Sequence, residues 1–328
     1  GKTATAPSSP AVGQMFFDTT LNALRIYNGT SWERVISHGG SASGGTETDS
    51  GGYRYHTFTT GGSLVVSGTG TSTLLCDILV VGAGGGSGYW GGCGGGGGSV
   101  YERLNFQLSS GTHTVIIGGG GASKQGSGGG AAGTGTNGGN SLFGPDHIGF
   151  GGGGGGCYDS NGLDGGCGGG RDRDTAGDTN NPGKGITTLS ASTVLNTHTL
   201  TNIHKSHSHS SSPTRGDGSA HNGSGAGGAG GLNGTWSSPN MSSPGHGGHG
   251  GIGKYISWVD HLAGTNAING LTGTLGYFGG GGHGLSSNTL DTVPGGADET
   301  GMVNTGGGAN GDKLTSGGSG IVIVRYAL

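Results

Sequence analysis

Apolar residues along this chain come in short runs of alternating or continuous hydrophobicity, the pattern of strands, with little or no stretch that suits an α-helix. Residues 12–36 read VGQMFFDTTLNALRIYNGTSWERVI, with β-prone runs at 15–17, 24–27 and 32–36 divided by 18–22 and by Asn28-Gly29. Asn-Gly favours positive φ at both centres of a two-residue turn, which predicts a tight hairpin between Ile26 and Trp32. A hairpin this small cannot bury Phe16, Tyr27 and Trp32 alone, so it needs a partner, most simply further copies of itself. Residues 37–52, SHGGSASGGTETDSGG, have the composition of a flexible linker. Runs at 53–59, 64–67, 74–81, 100–108 and 113–117 then predict a β-sheet unit. Leu104, Phe106 and Leu108 alternate as on a half-buried strand, whereas 75–81 is almost continuously apolar and predicts a strand covered on both faces. The closing IVIVRYAL is expected to pair in the same sheet, tying the end of the domain to its start.

Between these strands glycine runs recur at 94–98, 118–121, 151–156, 168–170, 279–282 and 306–308, separated by inserts rich in Ser, Thr, Asn, His or an aromatic. Glycine has no Cβ and reaches φ values closed to other residues. Its tracts can adopt an extended threefold, polyproline-II-like helix that has no internal hydrogen bonds. Buried backbone groups need partners, so such helices would lie side by side and bond to one another. The expected fold is therefore all-β with a polyglycine, polyproline-II-like helical bundle. Three parts are expected: a β-module at 1–36, a linker at 37–52 and a glycine-rich domain at 53–328. In that domain the sheet takes 53–117 and 321–328, and the bundle with its loop inserts takes 118–320.

Composition sharpens this picture. The 89 glycines and 8 prolines among 328 residues reach a level that usually signals low complexity. Charged residues are only 10%, however, so no self-repulsion keeps the chain open. The apolar strands at 76–81 and 321–326 bracket the glycines into a closed domain. A net charge of −4 with 14 Lys and Arg gives no footprint for nucleic acid or an anionic membrane. No apolar run approaches the ~18 residues of a membrane span, so no membrane insertion is expected. The chain opens GKTATAPSSP, with neither Met nor an apolar leader, and reads as a processed chain or the end of a longer one. Cys76, Cys93, Cys157 and Cys167 form no C-x-x-C pair and read as free thiols.

The strand and tract DILVVGAGGG, the hairpin YERLNFQLSSGTHTVIIGGGG, the scattered glycine blocks and the closing GGSGIVIVRYAL together resemble the glycine-rich domain at the ends of tailed-phage tail fibres and adhesins. Residues 12–35 are similar to the short β-module of fibre shafts and necks. The resemblance implies a homotrimeric distal fibre protein of the virion tail, assembled in the host cytoplasm with other tail-fibre or baseplate proteins. It implies non-enzymatic recognition of a host cell-surface glycan or outer-membrane protein through inserts between polyglycine helices. Residues 186–224, a long polar insert with few glycines, depart from the simplest pattern.

Candidate receptor contacts are the aromatics beside glycine-rich turns: Tyr89, Trp90, Tyr158, Trp236, Trp258, Tyr277 and Phe278. Tyr and Trp give large, stiff contact area at low entropic cost, and neighbouring Ser, Asn and Gly supply adaptable hydrogen bonding. The competing reading is that each aromatic buries itself at the end of a glycine bundle. Among ligand-type residues the best constellation is His198, His204, His207 and His209. In a threefold fibre, three His207-Ser208-His209 pairs would supply six nitrogens to one axial octahedral metal, and imidazole suits iron, nickel or zinc. The alternative there is a solvated Ser/Thr/His loop, and no other cofactor is implied. Asp172, Asp174 and Asp178 fail the EF-hand template because Ala176 stands at position five and no glycine follows. Arg215-Gly216-Asp217 reads as a coincidence in so glycine-rich a chain. Gly82 and Gly84 mimic a dinucleotide fingerprint with Glu102 downstream, but Ser87 takes the third glycine's place and no helix can follow. No nucleophile elbow or phosphate loop is present, so the chain is not expected to be an enzyme. A structural subunit of an extracellular filament or phage decoration is the alternative function, and needs a head-to-tail surface. A depolymerase would need a carboxylate pair in a groove.

Overall fold

The computed structural model describes residues 2–20, 23–34, 40–68, 73–89, 93–124, 133–156, 160–171, 183–185, 203–204, 226, 228–229, 250–259, 276–284, 301, 303–311 and 315–328. They contain strands and extended segments and no α-helix. At the start, β1 (Lys2–Thr3), β2 (Met15–Asp18), β3 (Ala23–Tyr27) and β4 (Trp32–Arg34) form a four-stranded sheet in that order. β1 runs parallel to β2, and the other pairs are antiparallel. The hairpin expected at Asn28-Gly29 forms, but Tyr27 pairs with Trp32, so its loop is longer than the two residues predicted. Gly29 takes a φ of 103° while Asn28 does not go positive. Asn28 works through its side chain instead, whose Oδ1 accepts the N–H groups of Thr30 and Ser31 at 2.8 Å. An Asx turn thus replaces the tight hairpin. Phe16 is 1% exposed and meets Trp32 edge-on at 4.6 Å, so the module covers this ring without a second chain.

Residues 40–50, which have linker composition, are two strands. β5 (Gly40–Ser43) and β6 (Thr46–Ser50) precede β7 (Tyr53–Phe58) and β8 (Gly62–Gly68), and β5 pairs with β8 while β6 pairs with β7. Gly44 and Gly45, with φ of 121° and 65°, carry the chain from one sheet to the other. A Cβ on Gly44 would lie 2.2 Å from the Ser63 carbonyl oxygen. Glycine is needed there for a turn and a close approach, not for flexibility.

The remaining strands are β9 (Thr73–Val81), β10 (Val100–Ser109), β11 (Gly111–Ile116), β12 (Ser141–Phe143), β13 (His147–Gly149), β14 (Ile203–His204), β15 (Lys254–Tyr255), β16 (Tyr277–Phe278) and β17 (Ile321–Ala327). A six-stranded sheet, β14-β10-β9-β17-β7-β6, packs on a five-stranded sheet, β13-β12-β11-β8-β5, and β15 pairs with β16. β17 lies antiparallel between β7 and β9, which closes the domain as the apolar terminus predicts. β9 is covered on both faces. Ile78 and Val80 pack among Phe58, Leu64, Phe143 and Val324, whereas Leu79 and Val81 face Tyr55, Ile256, Trp258 and Phe278. Each such side chain contributes about 1.5–3 kcal/mol on burial. β10 departs from its expected alternation because its register with β9 shifts between Arg103 and Phe106. Asn105 takes φ 54° and its N–H bonds Asp77 Oδ1 at 2.9 Å. This bulge turns Leu104 outward to 48% exposure, while Leu108 stays inside.

The glycine tracts grow out of the strands. Residues 82–88 continue β9, 118–122 follow β11 and 150–156 follow β13, while 94–99, 134–140 and 315–320 lead into β10, β12 and β17. The array therefore begins at Gly82, inside the span expected to be sheet alone. Segment 82–89 sets the pattern. The N–H groups of Gly82, Gly85 and Gly88 go to the carbonyls of Ser99, Gly96 and Cys93. Those of Ala83, Gly86 and Tyr89 go to Gly139, Thr136 and Gly133, and those of Gly84 and Ser87 to Gly318 and Thr315. Each neighbour is met at steps of three residues. A Cβ built on Gly82, Gly85 or Gly88 would fall 2.1, 2.1 or 1.8 Å from the carbonyl oxygens of Phe150, Gly153 and Gly156. One on Gly84 or Gly86 would strike Gly307 at 1.9 Å or Ala122 at 2.2 Å. Six described segments thus surround 82–89. Gly82, Gly84–Gly86, Gly88 and Gly94–Gly98 all stay out of the positive-φ region. Glycine serves close approach here rather than unusual torsion, and among the described residues only Gly279 and Gly306 enter the array with positive φ, 68° and 69°.

Candidate functional site

One end of the array is fixed to the sandwich, and the register of its hydrogen bonds defines the other. Tyr89 N–H bonds the Gly133 carbonyl at 2.8 Å, and Gly88 N–H bonds that of Cys93 at 3.1 Å. Thr134 Oγ1 and Ser160 Oγ are 2.7 Å apart. Gly156 N–H reaches the Gly170 carbonyl and Gly311 N–H that of His283, both at 2.8 Å. Ser87 Oγ donates to the Thr315 carbonyl at 3.1 Å and accepts Thr315 N–H at 3.0 Å. The backbone lattice therefore gathers Tyr89, Gly133, Gly156, Gly170, His283, Gly311 and Thr315, from separate stretches of sequence, onto one face. That arrangement can present many side chains at fixed spacing.

Polar residues near the rim and along the array edge are committed to the scaffold. Asn137 Oδ1 accepts Gly154 N–H at 2.9 Å while its Nδ2 donates to the Asp164 carbonyl at 2.9 Å. Asn140 Oδ1 accepts Gly151 N–H at 2.9 Å, and Asn310 Oδ1 accepts His283 N–H at 3.1 Å. Ser99 and Ser141 hydroxyls take the N–H groups of Phe150 and Gly118 at 2.8 and 3.0 Å. These side chains satisfy array donors that would otherwise be buried unpaired. The adaptable hydrogen bonding expected of such residues is, at these positions, already in use. Asn137 and Asn140 are three apart, the step at which Gly154 and Gly151 present their N–H groups, a match that shows only once the register is known.

The candidate aromatics fall into separate groups. Tyr89 is half-buried at the rim, bonded there through its backbone. Trp258, 6% exposed, and Phe278, 1% exposed, lie instead in the core over the six-stranded sheet, not at the end of a glycine bundle. Trp258 Nε1 donates to Glu102 Oε1 at 2.9 Å, and its carbonyl accepts Tyr55 Oη–H at 3.2 Å. Arg325 lies 4.6 Å from the Trp258 ring and 4.5 Å from the Tyr53 ring, and its Nε donates to Asp77 Oδ2 at 2.8 Å. Glycine tracts offer no large side chains, so a Trp next to one finds its apolar contacts on the sheet. Tyr277 is half-buried on the β15–β16 hairpin at the sandwich side, 5.0 Å from Tyr255, an exposed aromatic that the sequence reading passes over. Trp258, Tyr277 and Phe278 therefore lie together and away from Tyr89. Trp90, Tyr158, Trp236, His207 and His209 lie outside the described residues, and with them the axial-metal reading. Among the described residues no group of three His, Cys, Asp or Glu could hold a metal ion. A shallow depression lined by His113, Ile116, Leu142 and Pro145 lies on the sandwich.

Compared with known families, residues 59–327 match the glycine-rich domain. No curated protein matches the chain.

Proposed function

The chain belongs to the glycine-rich domain family, and we propose that it is the distal, receptor-binding protein of a tailed-phage tail fibre. In this reading the rim of the array carries inserts that contact a host cell-surface glycan or outer-membrane protein without chemistry. The single observation that carries the reading is the gathering of residues from separate stretches of sequence at one face. Tyr89 with Gly133, Gly156 with Gly170 and Gly311 with His283 hold them there. A scaffold whose glycines permit no side chain leaves sequence free to vary only where the chain leaves the lattice. We read the lattice itself as a bundle of polyglycine, polyproline-II-like helices. The three-residue step and the six neighbours of 82–89 support that reading. Contacts come from Tyr89 and from Trp90, Tyr158 and Trp236, whereas Trp258 and Phe278 hold the scaffold. The fibre is a homotrimer in the virion tail, joined to other fibre or baseplate proteins, and multivalency turns weak contacts into lasting adsorption.

The test is competition. Purified chain, added in excess to susceptible bacteria, is expected to lower adsorption of the phage that carries it. Undiminished adsorption at saturating chain, with no chain retained on the cells, overturns the reading.

A further inference from the structure

We propose that the sheet face carrying Met15, Phe17, Leu24 and Ile26 is where a second copy of this chain docks. The inference deepens the homo-oligomer of the preceding reading and is independent of receptor binding. The four-stranded sheet has two unlike faces. On one, Phe16 and Trp32 stack edge-on at 4.6 Å and Arg25 Nη1 lies 3.6 Å from Asp18 Oδ2, so Phe16 and Asp18 are buried within the chain there. The register puts the other set together: Met15 opposite Ile26, Phe17 opposite Leu24. There Met15 is 52% and Leu24 37% exposed, while Phe17 and Ile26 are only half-buried. An apolar row spanning two adjacent strands of so small a sheet marks an interaction surface rather than scattered exposure.

Charge on the two edges identifies the occupant. Lys2 on β1 pairs with Phe17, and its Nζ sits 5.6 Å from that ring. Glu33 on β4 pairs with Ile26, and its Oε1 accepts Ser31 Oγ–H at 2.7 Å and Asn28 Nδ2–H at 3.1 Å. The apolar row thus has a cation at one edge and an anion at the other. Copies related by an axis parallel to the strands bring the Lys2 edge of each to the Glu33 edge of its neighbour. Their apolar rows then meet at the ~10 Å spacing of packed sheets. Such an arrangement closes on itself and is self-complementary, so it needs no other protein.

The experiment is the solution mass of the full chain by light scattering over a range of concentrations. Wild type is expected at two or three times 31.5 kDa, constant with concentration. Met15→Glu with Leu24→Glu is expected to raise the concentration of half-dissociation about tenfold or more, with thermal unfolding of the glycine-rich domain unchanged. Lys2→Glu alone is expected to weaken assembly, and Lys2→Glu with Glu33→Lys to restore it, a rescue that a misfolded module cannot give. A monomeric wild type overturns the inference, as does an oligomer indifferent to all of these substitutions. A monomer that still blocks adsorption counts against this inference and the homotrimer but leaves receptor binding standing. An oligomer that does not block counts against the receptor reading alone.

Discussion

At the scale of single residues the array makes a sharp distinction between glycines that look alike. Gly119 and Gly120 are adjacent and both exposed, but nothing lies within 4 Å of a Cβ on Gly119, whereas one on Gly120 would sit 1.7 Å from the Gly317 carbonyl oxygen. Gly119→Ala is expected to be neutral or to stabilise by about 0.4–1 kcal/mol through the unfolded chain. Gly120→Ala is expected to cost about 2–3 kcal/mol, because the obstacle is backbone and cannot rotate away. Chemical denaturation of the two variants checks this, and equal stabilities would remove close approach as the reason for glycine. Cys76 makes a second case. Burial, reinforced by the charge of Asp77, pushes its thiol from an ordinary 9.0 up to about 12. Between those values the folded chain keeps a proton that the unfolded chain has lost. Stability therefore falls as pH rises through that window, by up to about 1.4 kcal/mol per pH unit. Denaturation at pH 9 and pH 10 is expected to show a smaller loss in Cys76→Ala than in wild type.

At the scale of elements the sandwich was legible wherever strands carry large side chains. The continuous apolar run of β9 does predict a strand buried on both faces, and the closing IVIVRYAL does pair beside it. Legibility failed where glycine and serine do structural work. The β5–β6 pair has linker composition, because a strand pair flanking a glycine crossover exposes little apolar surface to reveal it. The Leu104 side chain left its expected face because Asn105 adopts positive φ, a choice that alternation alone does not encode. At the candidate site, glycine spacing announced close packing, but the commitment of Asn137 and Asn140 to array donors appears only with the register in hand. Trp258 is the element-scale test. Its indole joins Glu102, Arg325 and the core over β9, so Trp258→Ala is expected to cost about 3–5 kcal/mol. Thermal unfolding measures this; unchanged stability would return Trp258 to the pool of contact residues.

At the scale of the molecule, a sandwich supports an array of glycine segments, and the array brings residues from several stretches of sequence together on one face. This division of labour explains how a chain with 29% hydrophobic residues and 10% charged residues can fold. Backbone hydrogen bonds between closely packed tracts take over much of what a core of large side chains does elsewhere. In the proposed reading it also separates stability, set by glycines and strands, from recognition at the rim. The most direct measurement is binding of the labelled full chain to susceptible bacteria after attaching a bulky polymer at one of two introduced cysteines. Lys124→Cys lies at the exposed rim of the array, and Ser41→Cys on an exposed edge strand of the sandwich. Polymer at 124 is predicted to abolish binding, while polymer at 41 leaves it intact. Binding that survives a blocked rim, or is lost only when the sandwich is blocked, would contradict the account.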